Sequence, residues 1–208
     1  MKRMMLAVWL VAAWISCVHA QDIALPPPNK AGGKPLMEAL NARQTERTFS
    51  PEALSDQQLS DLLWAACGVN RPGGKRTAPS AMNRQEIDLY VALPAGLYLY
   101  DAPSHALRQI LATDLCGVAG KQPFVKTAPL CLIYVADYDR MRGDTDFYSA
   151  VDTGFISQNV YLFCASEGLH TVVLGTVDKA ALHAAMQLRP AQHIMLTQPV
   201  GRPPAAGE

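Results

Sequence analysis

The chain has 208 residues, half of them hydrophobic, and its 18 basic side chains balance 18 acidic ones. That neutrality gives no electrostatic ground for binding nucleic acid or an anionic membrane surface, which calls for a basic patch or stripe. The length suits one domain with a sizeable core.

The amino-terminal twenty residues read as a secretion signal. Lys2 and Arg3 form a basic start, Met4 to Val18 is an almost unbroken apolar run, and Val18-His19-Ala20 is a small-residue cleavage pattern. The run is shorter than the roughly 20 residues needed to cross a bilayer, and polar, Pro-rich sequence follows it, so no stable membrane anchor is expected. Trp14-Ile15-Ser16-Cys17 fits only the last two positions of a lipoprotein box, and Lys2-Arg3 is not a twin-arginine pair. The chain is therefore expected to be exported unfolded and to work in the periplasm after cleavage near Ala20. Cleavage there leaves 188 residues with 16 basic and 18 acidic side chains, a net charge of −2. It also leaves Cys67, Cys116, Cys131 and Cys164, none in a Cys-x-x-Cys motif. Cys131 and Cys164 lie in apolar runs and read as small buried hydrophobes. Whether Cys67 and Cys116 pair is open at this level.

Residues 21–34 hold three consecutive prolines and a Gly pair, which predicts an extended arm able to wrap a partner. A domain over 35–208 follows. Leu36, Ala39, Leu40 and Arg43 recur at helical spacing over 35–46, as do Leu59, Leu62, Leu63 and Ala66 over 56–67. Ser55 with Gln58 predicts a capping box at the start of the second helix, and Gly68 suits its end. Asn70 to Lys75 reads as a loop. Glu86 to Leu93 alternates as a half-buried strand with Ile87, Leu89 and Val91 on one face, and Leu97 to Tyr100 is a second strand. Pro129 to Ala136 is an apolar run of strand length, expected at the centre of a sheet covered on both sides. A long helix is predicted over Thr153 to Glu167, a strand over Thr171 to Leu174, a short helix over Lys179 to Leu188 and a last strand near His193 to Val200. The order α-α-β-β-α-β-α-β-α-β indicates an α+β fold, a central mixed sheet with helices packed on it.

Several chemistries are excluded by inspection. No Gly-x-Gly-x-x-Gly follows a strand, and no Gly-x-Ser-x-Gly elbow occurs. Gly68 to Lys75 lacks the first glycine of a phosphate loop, and Arg76 stands where Ser or Thr would hold magnesium. His105, His170, His183 and His193 are scattered without metal-ligand spacing, so no metal is expected.

Two stretches point to a ligand. In Arg43-Gln44-Thr45-Glu46-Arg47-Thr48-Phe49, two arginines four apart with a hydroxyl between them can present a fork of donors to a phosphate. Arg76 to Gln85 precedes a strand and offers backbone and short polar side chains to a planar, polar-edged ligand.

At these residues the chain resembles the nitroreductase-like FMN oxidoreductases, over about residues 36–202. The family's Arg-Arg-Ser-x-Arg-x-Phe phosphate motif matches Arg43, Thr45 in place of Ser, Arg47 and Phe49. Its Pro-Ser-x-x-Asn-x-Gln segment, which in the family comes from the neighbouring subunit and touches the flavin, matches Pro79, Ser80, Asn83 and Gln85. Asp152-Thr153-Gly154 with Gln158-Asn159 resembles the long interface helix. Gly168-Leu169 followed by Val173-Leu174-Gly175 resembles the segment whose backbone N–H faces the flavin N5, and Val200-Gly201-Arg202-Pro203 resembles the closing motif that returns a basic residue to the phosphate. Gly96 to Tyr100 through Ala128-Pro129 looks like the thiazoline/oxazoline dehydrogenase branch. Two departures stand out: Gln44 replaces the second arginine of the phosphate motif, which is expected to weaken anion binding modestly, and Met82-Asn83-Arg84-Gln85 stands where that branch has Gly-Ala-Leu-Tyr-Pro.

The resemblance implies a nitroreductase-like fold with a mainly antiparallel sheet and an FMN-dependent oxidoreductase that works as a homodimer. Arg43, Thr45, Arg47 and Arg202 are expected at the phosphate, the partner's copies of Pro79, Ser80 and Asn83 at the ring, and a backbone N–H near Leu174 and Gly175 at N5. No acid or base is identified, and the electron donor is expected to be a small organic substrate or a redox partner protein. The alternative is a periplasmic binding protein of the same fold, with or without flavin, that has no turnover.

Overall fold

The apolar run of the sequence forms the middle of the molecule as strand β7 (Leu130–Asp137), with all eight residues buried. In the computed structural model, which describes residues 21–143 and 145–205, its side chains alternate between two cores. Leu130, Leu132, Tyr134 and Ala136 face one cluster, and Cys131, Ile133 and Val135 face the other. A strand covered on both faces has no polar positions to show, so its sequence reads as a continuous apolar run. The secretion signal expected at 1–20 lies outside the described residues.

In chain order, the elements before β7 are β1 (Ile23–Ala24), α1 (Leu36–Ala42), α2 (Asp56–Cys67), β2 (Val69–Arg71), β3 (Lys75–Arg76), β4 (Ile87–Leu93), β5 (Gly96–Asp101) and β6 (Ala106–Leu111). After it come α3 (Thr145–Glu167), β8 (His170–Thr171), α4 (Lys179–Ala185) and β9 (Gln192–Gly201). The main sheet runs β1-β6-β5-β4-β7-β9-β8, and each described pairing is antiparallel. This is the α+β architecture expected, without a parallel pair among the described residues. α2 and α3 cover one face, while α4 and the connection between β6 and β7 cover the other.

Local chemistry explains the elements that match. The Ser55 side chain accepts from the Gln58 N–H and the Gln58 side chain accepts from the Ser55 N–H, which completes the capping box of α2. Gly68 ends that helix in an extended conformation, and glycine is required there because a Cβ would lie 2.4 Å from Trp64 Cδ1 and 2.7 Å from Trp64 Cα.

Four expectations change. The helix implied between the second and third strands is replaced by β6 and short 3-10 turns, because Leu97–Asp101 of β5 offers a ladder to Ala106–Leu111. β4 is buried on both faces, with Tyr90 and Ala92 in the second core, and its Asp88 is paired with Arg140 at 2.7 Å. Asn70–Lys75 forms the tip of a β2–β3 hairpin that turns through Gly73 and Gly74, both at positive φ. Finally, α3 begins at Thr145, eight residues before the predicted start at Thr153, because its first turns are inverted: Phe147, Val151 and Phe155 are exposed while Ser149, Asp152 and Thr153 are buried.

The Pro-rich arm is extended and packs on its own chain. Ile23 and Ala24 pair with Leu107 and Ala106, Ser60 Oγ donates to the Pro26 carbonyl at 2.6 Å, and the Lys34 N–H donates to Ser166 Oγ at 2.7 Å.

Candidate functional site

The segment after α1 crosses the edge of the sheet and carries the first group of candidate residues. The Glu46 N–H donates to the Thr171 carbonyl at 3.0 Å, and the Ser50 N–H donates to the Arg202 carbonyl at 2.9 Å. This lays the segment from Glu46 to Ser50 along β8 and the end of β9, with Ser50 reaching Arg202. Tyr161 of α3 fixes the assembly. Its hydroxyl lies 3.2 Å from Thr45 Oγ1 and accepts from the Val173 N–H at 2.9 Å, while the Arg43 guanidinium stacks over its ring at 5.4 Å. Tyr161 was not legible as a site residue, because its partner Thr45 lies 116 positions away and a tyrosine inside a predicted helix reads as packing.

The donors have the right character for an anion. Arg202 donates from Nη2 to Gln58 Oε1 at 2.7 Å, and its buried Nε faces Glu52 Oε1 at 3.5 Å, too long and poorly aligned for a full hydrogen bond. A phosphate oxygen would make a stronger, charge-assisted partner for it. Arg47 is exposed. Gln44 lines a separate cavity of about 210 Å³ with Glu46 and His170, a cavity that Arg43, Thr45 and Arg47 do not line.

Leu174 and Gly175 differ in what they can offer. Leu174 is buried, and its N–H and carbonyl are both paired with Thr197, at 2.8 and 3.1 Å. It has no free amide, which corrects its assignment as a donor to N5. Exposed Gly175 accepts through its carbonyl from Val177. Its N–H has no partner among the described residues and is the amide left for a ligand.

Pro79, Ser80 and Asn83 sit elsewhere. They form a bend before β4 in which Met82, Asn83 and Gln85 have φ near +50°. Left-handed conformations cost a side chain about 1–2 kcal/mol each, so the bend persists only because it is pinned. The Gln85 N–H donates to Ser80 Oγ at 2.9 Å, the Ala81 N–H to Asp152 Oδ2 at 2.8 Å, Gln85 Nε2 to Asn83 Oδ1 at 3.1 Å, and Arg140 Nη1 to the Gln85 carbonyl at 3.1 Å. Strain held this firmly is characteristic of functional segments.

Within one chain the two groups do not meet. Ile87 pairs with Ala136 near the end of β7, whereas Arg202 follows Val200, which pairs with Leu130 at the start. Six steps along a strand, from Leu130 to Ala136, separate these ends by about 20 Å.

Other reactive constellations are explained by structure. Ser60 Oγ lies 2.7 Å from His105 Nε2, and His105 Nδ1 lies 2.8 Å from the Tyr100 hydroxyl, but the serine donates its proton to the arm at Pro26 and is no nucleophile. Cys67 and Cys116 are free, buried and on opposite faces of the sheet. Burial pushes their thiols up to about 11 and about 12, so neither supplies a thiolate. Among the described residues no group of three or more His, Cys, Asp or Glu side chains is placed to hold a metal.

With this geometry in place, the Nitroreductase family profile matches residues 40–202. The chain belongs to the nitroreductase family. It is 32% identical over 181 residues to a protein of Methanocaldococcus jannaschii named as a nitroreductase, which covers 80% of this chain and 90% of that relative. A nitroreductase structure from Ralstonia eutropha shares 44% identity at a TM-score of 0.85, covering 88% of this chain and 90% of that one. A nitroreductase from Desulfovibrio desulfuricans in complex with FMN shares the fold at 22% identity and a TM-score of 0.62, over 85% of this chain and 91% of that one. The chain is thus a nitroreductase-like oxidoreductase, and its phosphate-type motif, its pinned bend and its long helix all lie within the matched residues.

Proposed function

We propose that this nitroreductase binds FMN between two copies of itself and carries electrons through it, outside the cytoplasm. The observation that carries the reading is the separation of the two candidate groups to opposite ends of β7. A flavin touches both groups only when a second chain brings its own bend to the arginine end. The apolar side of α3 (Phe147, Val151 and Phe155) offers the surface for that pairing. The residues fit the cofactor: Arg43, Thr45, Arg47 and Arg202 hold the phosphate, the partner's Pro79, Ser80 and Asn83 meet the ring, and the Gly175 amide is free for N5. The D. desulfuricans protein of the same fold is in complex with FMN, which supports FMN as the ligand. Bound FMN supplies the redox chemistry, and the chain supplies grip, orientation and access. Export rests on the amino-terminal sequence, and it favours a small organic substrate or a redox protein as electron donor.

An absorbance spectrum of the purified protein tests the proposal. A yellow chromophore that bleaches with a reductant and returns with an electron acceptor is expected. A colourless protein that takes up no FMN on titration sinks it.

A further inference from the structure

The bend is held from behind by two buried carboxyl groups. Asp152 is 2% exposed and accepts the Ala81 N–H at 2.8 Å. Glu86, the residue after the bend, is fully buried at 0% exposure, and both of its carboxyl oxygens lack a hydrogen-bond donor. Asp152 and Ser149 are neighbours of the Glu86 carboxyl, close enough to act on its proton. Two ionised carboxylates only accept, so as long as both are charged this contact is a repulsion between buried groups. One proton converts it into an O–H···O⁻ bond, which satisfies a Glu86 oxygen and leaves Asp152 charged to hold the Ala81 amide.

We propose that Glu86 and Asp152 are the positioning pair of the bend: a proton on Glu86, donated to Asp152, keeps Asp152 on the Ala81 amide and so holds residues 79–85 in their ligand-facing shape. When the proton leaves to solvent, two buried charges face each other, Asp152 turns from Ala81, and the left-handed conformations at Met82, Asn83 and Gln85 lose their anchor. The role of the bend toward flavin rests on the reading above; the pair itself does not.

Of the surrounding groups, the Glu86 N–H and the Ser149 hydroxyl favour the ionised carboxyl, and burial with the Asp152 charge outweighs them. From α3 come Asp152, Ser149 and Thr153, the two hydroxyls being buried. Arg140, after β7, binds the Glu86 main-chain carbonyl at 2.8 Å, and its charge is taken up by Asp88 at 2.7 Å and Asp137 at 3.4 Å. Arg76 of β3 and Cys67 of α2 line the small cavity beside Asp152, and the Arg76 charge acts on Cys67 and Asp88. Arg84 lies in the bend itself. Burial, and then the Asp152 charge, push the Glu86 carboxyl up to about 7, which places the exchange near neutral pH.

Amide hydrogen exchange of the mature protein without FMN reads the pair directly. The protection factor of the Ala81 amide is expected to fall about tenfold between pH 6 and pH 8.5, and the FMN dissociation constant to rise by a similar factor. In Glu86→Gln the side-chain amide donates to Asp152 at every pH, so both quantities should stay flat; a role in packing alone would leave the two proteins alike. Constant Ala81 protection in the unsubstituted protein overturns the proposal, and that profile decides even if Glu86→Gln fails to fold. Glu86→Gln titrating like the parent also overturns it. Titrating protection in a protein that takes up no FMN leaves the pair standing and the flavin reading fallen; FMN uptake with flat protection is the reverse.

Discussion

A single hydroxyl ties the arginine end of the site together. Tyr161 accepts the Val173 amide and meets Thr45, while its ring carries the Arg43 guanidinium. Tyr161→Phe keeps the ring and removes the acceptor, leaving a partly buried N–H unpaired. It should destabilise the fold by about 1 kcal/mol, read as a lower midpoint in urea; an unchanged midpoint would mean that the hydroxyl anchors nothing. The arginines are the proposed grip on the FMN phosphate. Charge-assisted bonds contribute about 1.5–3 kcal/mol each, so Arg43→Ala with Arg47→Ala should weaken FMN binding roughly a hundredfold or more. Retention of flavin through dialysis, as in the parent, would show that the phosphate sits elsewhere. At this scale the sequence was informative: the paired arginines and the Pro-Ser-x-x-Asn segment were legible because their residues are close in the chain. Tyr161 and the Glu86–Asp152 pair were not, since their contacts join distant segments.

At the level of elements, α3 shows how far periodicity can be trusted. From Ile156 onward its apolar residues turn inward, as at Val160 and Cys164, and this half was predicted. Its first turns put Phe147, Val151 and Phe155 outward and Ser149, Asp152 and Thr153 inward, the pattern expected of a face that a second copy covers in the proposed dimer. Val151→Glu with Phe155→Glu places two charges on that face and leaves the inner core untouched. Sedimentation at micromolar concentration should show a dimer for the parent and a flavin-poor monomer for the double variant. A dimer that survives both charges would place the interface elsewhere. β6 was misjudged for a related reason: Ala106 to Leu111 has the composition of a helix turn, and strand pairing to β5 overrode that preference.

On the scale of the whole molecule, the proposal of export carries a test at Gln21, the first residue after the cleavage pattern. The Gln21 N–H donates to Gln109 Oε1 at 2.7 Å, and β1 adds itself to β6 two residues later. Mass spectrometry of exported material should give an amino terminus at Gln21; mature protein that retains Met1 would refute export by a cleaved signal. The pH dependence of stability belongs here too, since it compares the folded and unfolded chain. Burial and then Asp152 raise Glu86 to about 7 in the folded protein, from about 4.3 in an unfolded chain. A raised carboxyl contributes stability that is complete below the unfolded value and is lost as pH rises through the folded one. Urea midpoints should therefore fall between pH 4.5 and 7.5 in the parent relative to Glu86→Gln. Parallel curves would show that Glu86 does not titrate in this window.

The sequence by itself determined the doubly covered central strand, the capped second helix, the family and the short motifs, because each is written in neighbouring residues and their periodicity. Tertiary structure alone decided that the Pro-rich arm lies on its own chain, that Leu174 spends its amide on Thr197, and that the arginine group and the bend stand at opposite ends of β7. Those outcomes depend on which distant backbone groups pair. Strand register and hydrogen-bond accounting set that pairing only once the sheet is assembled.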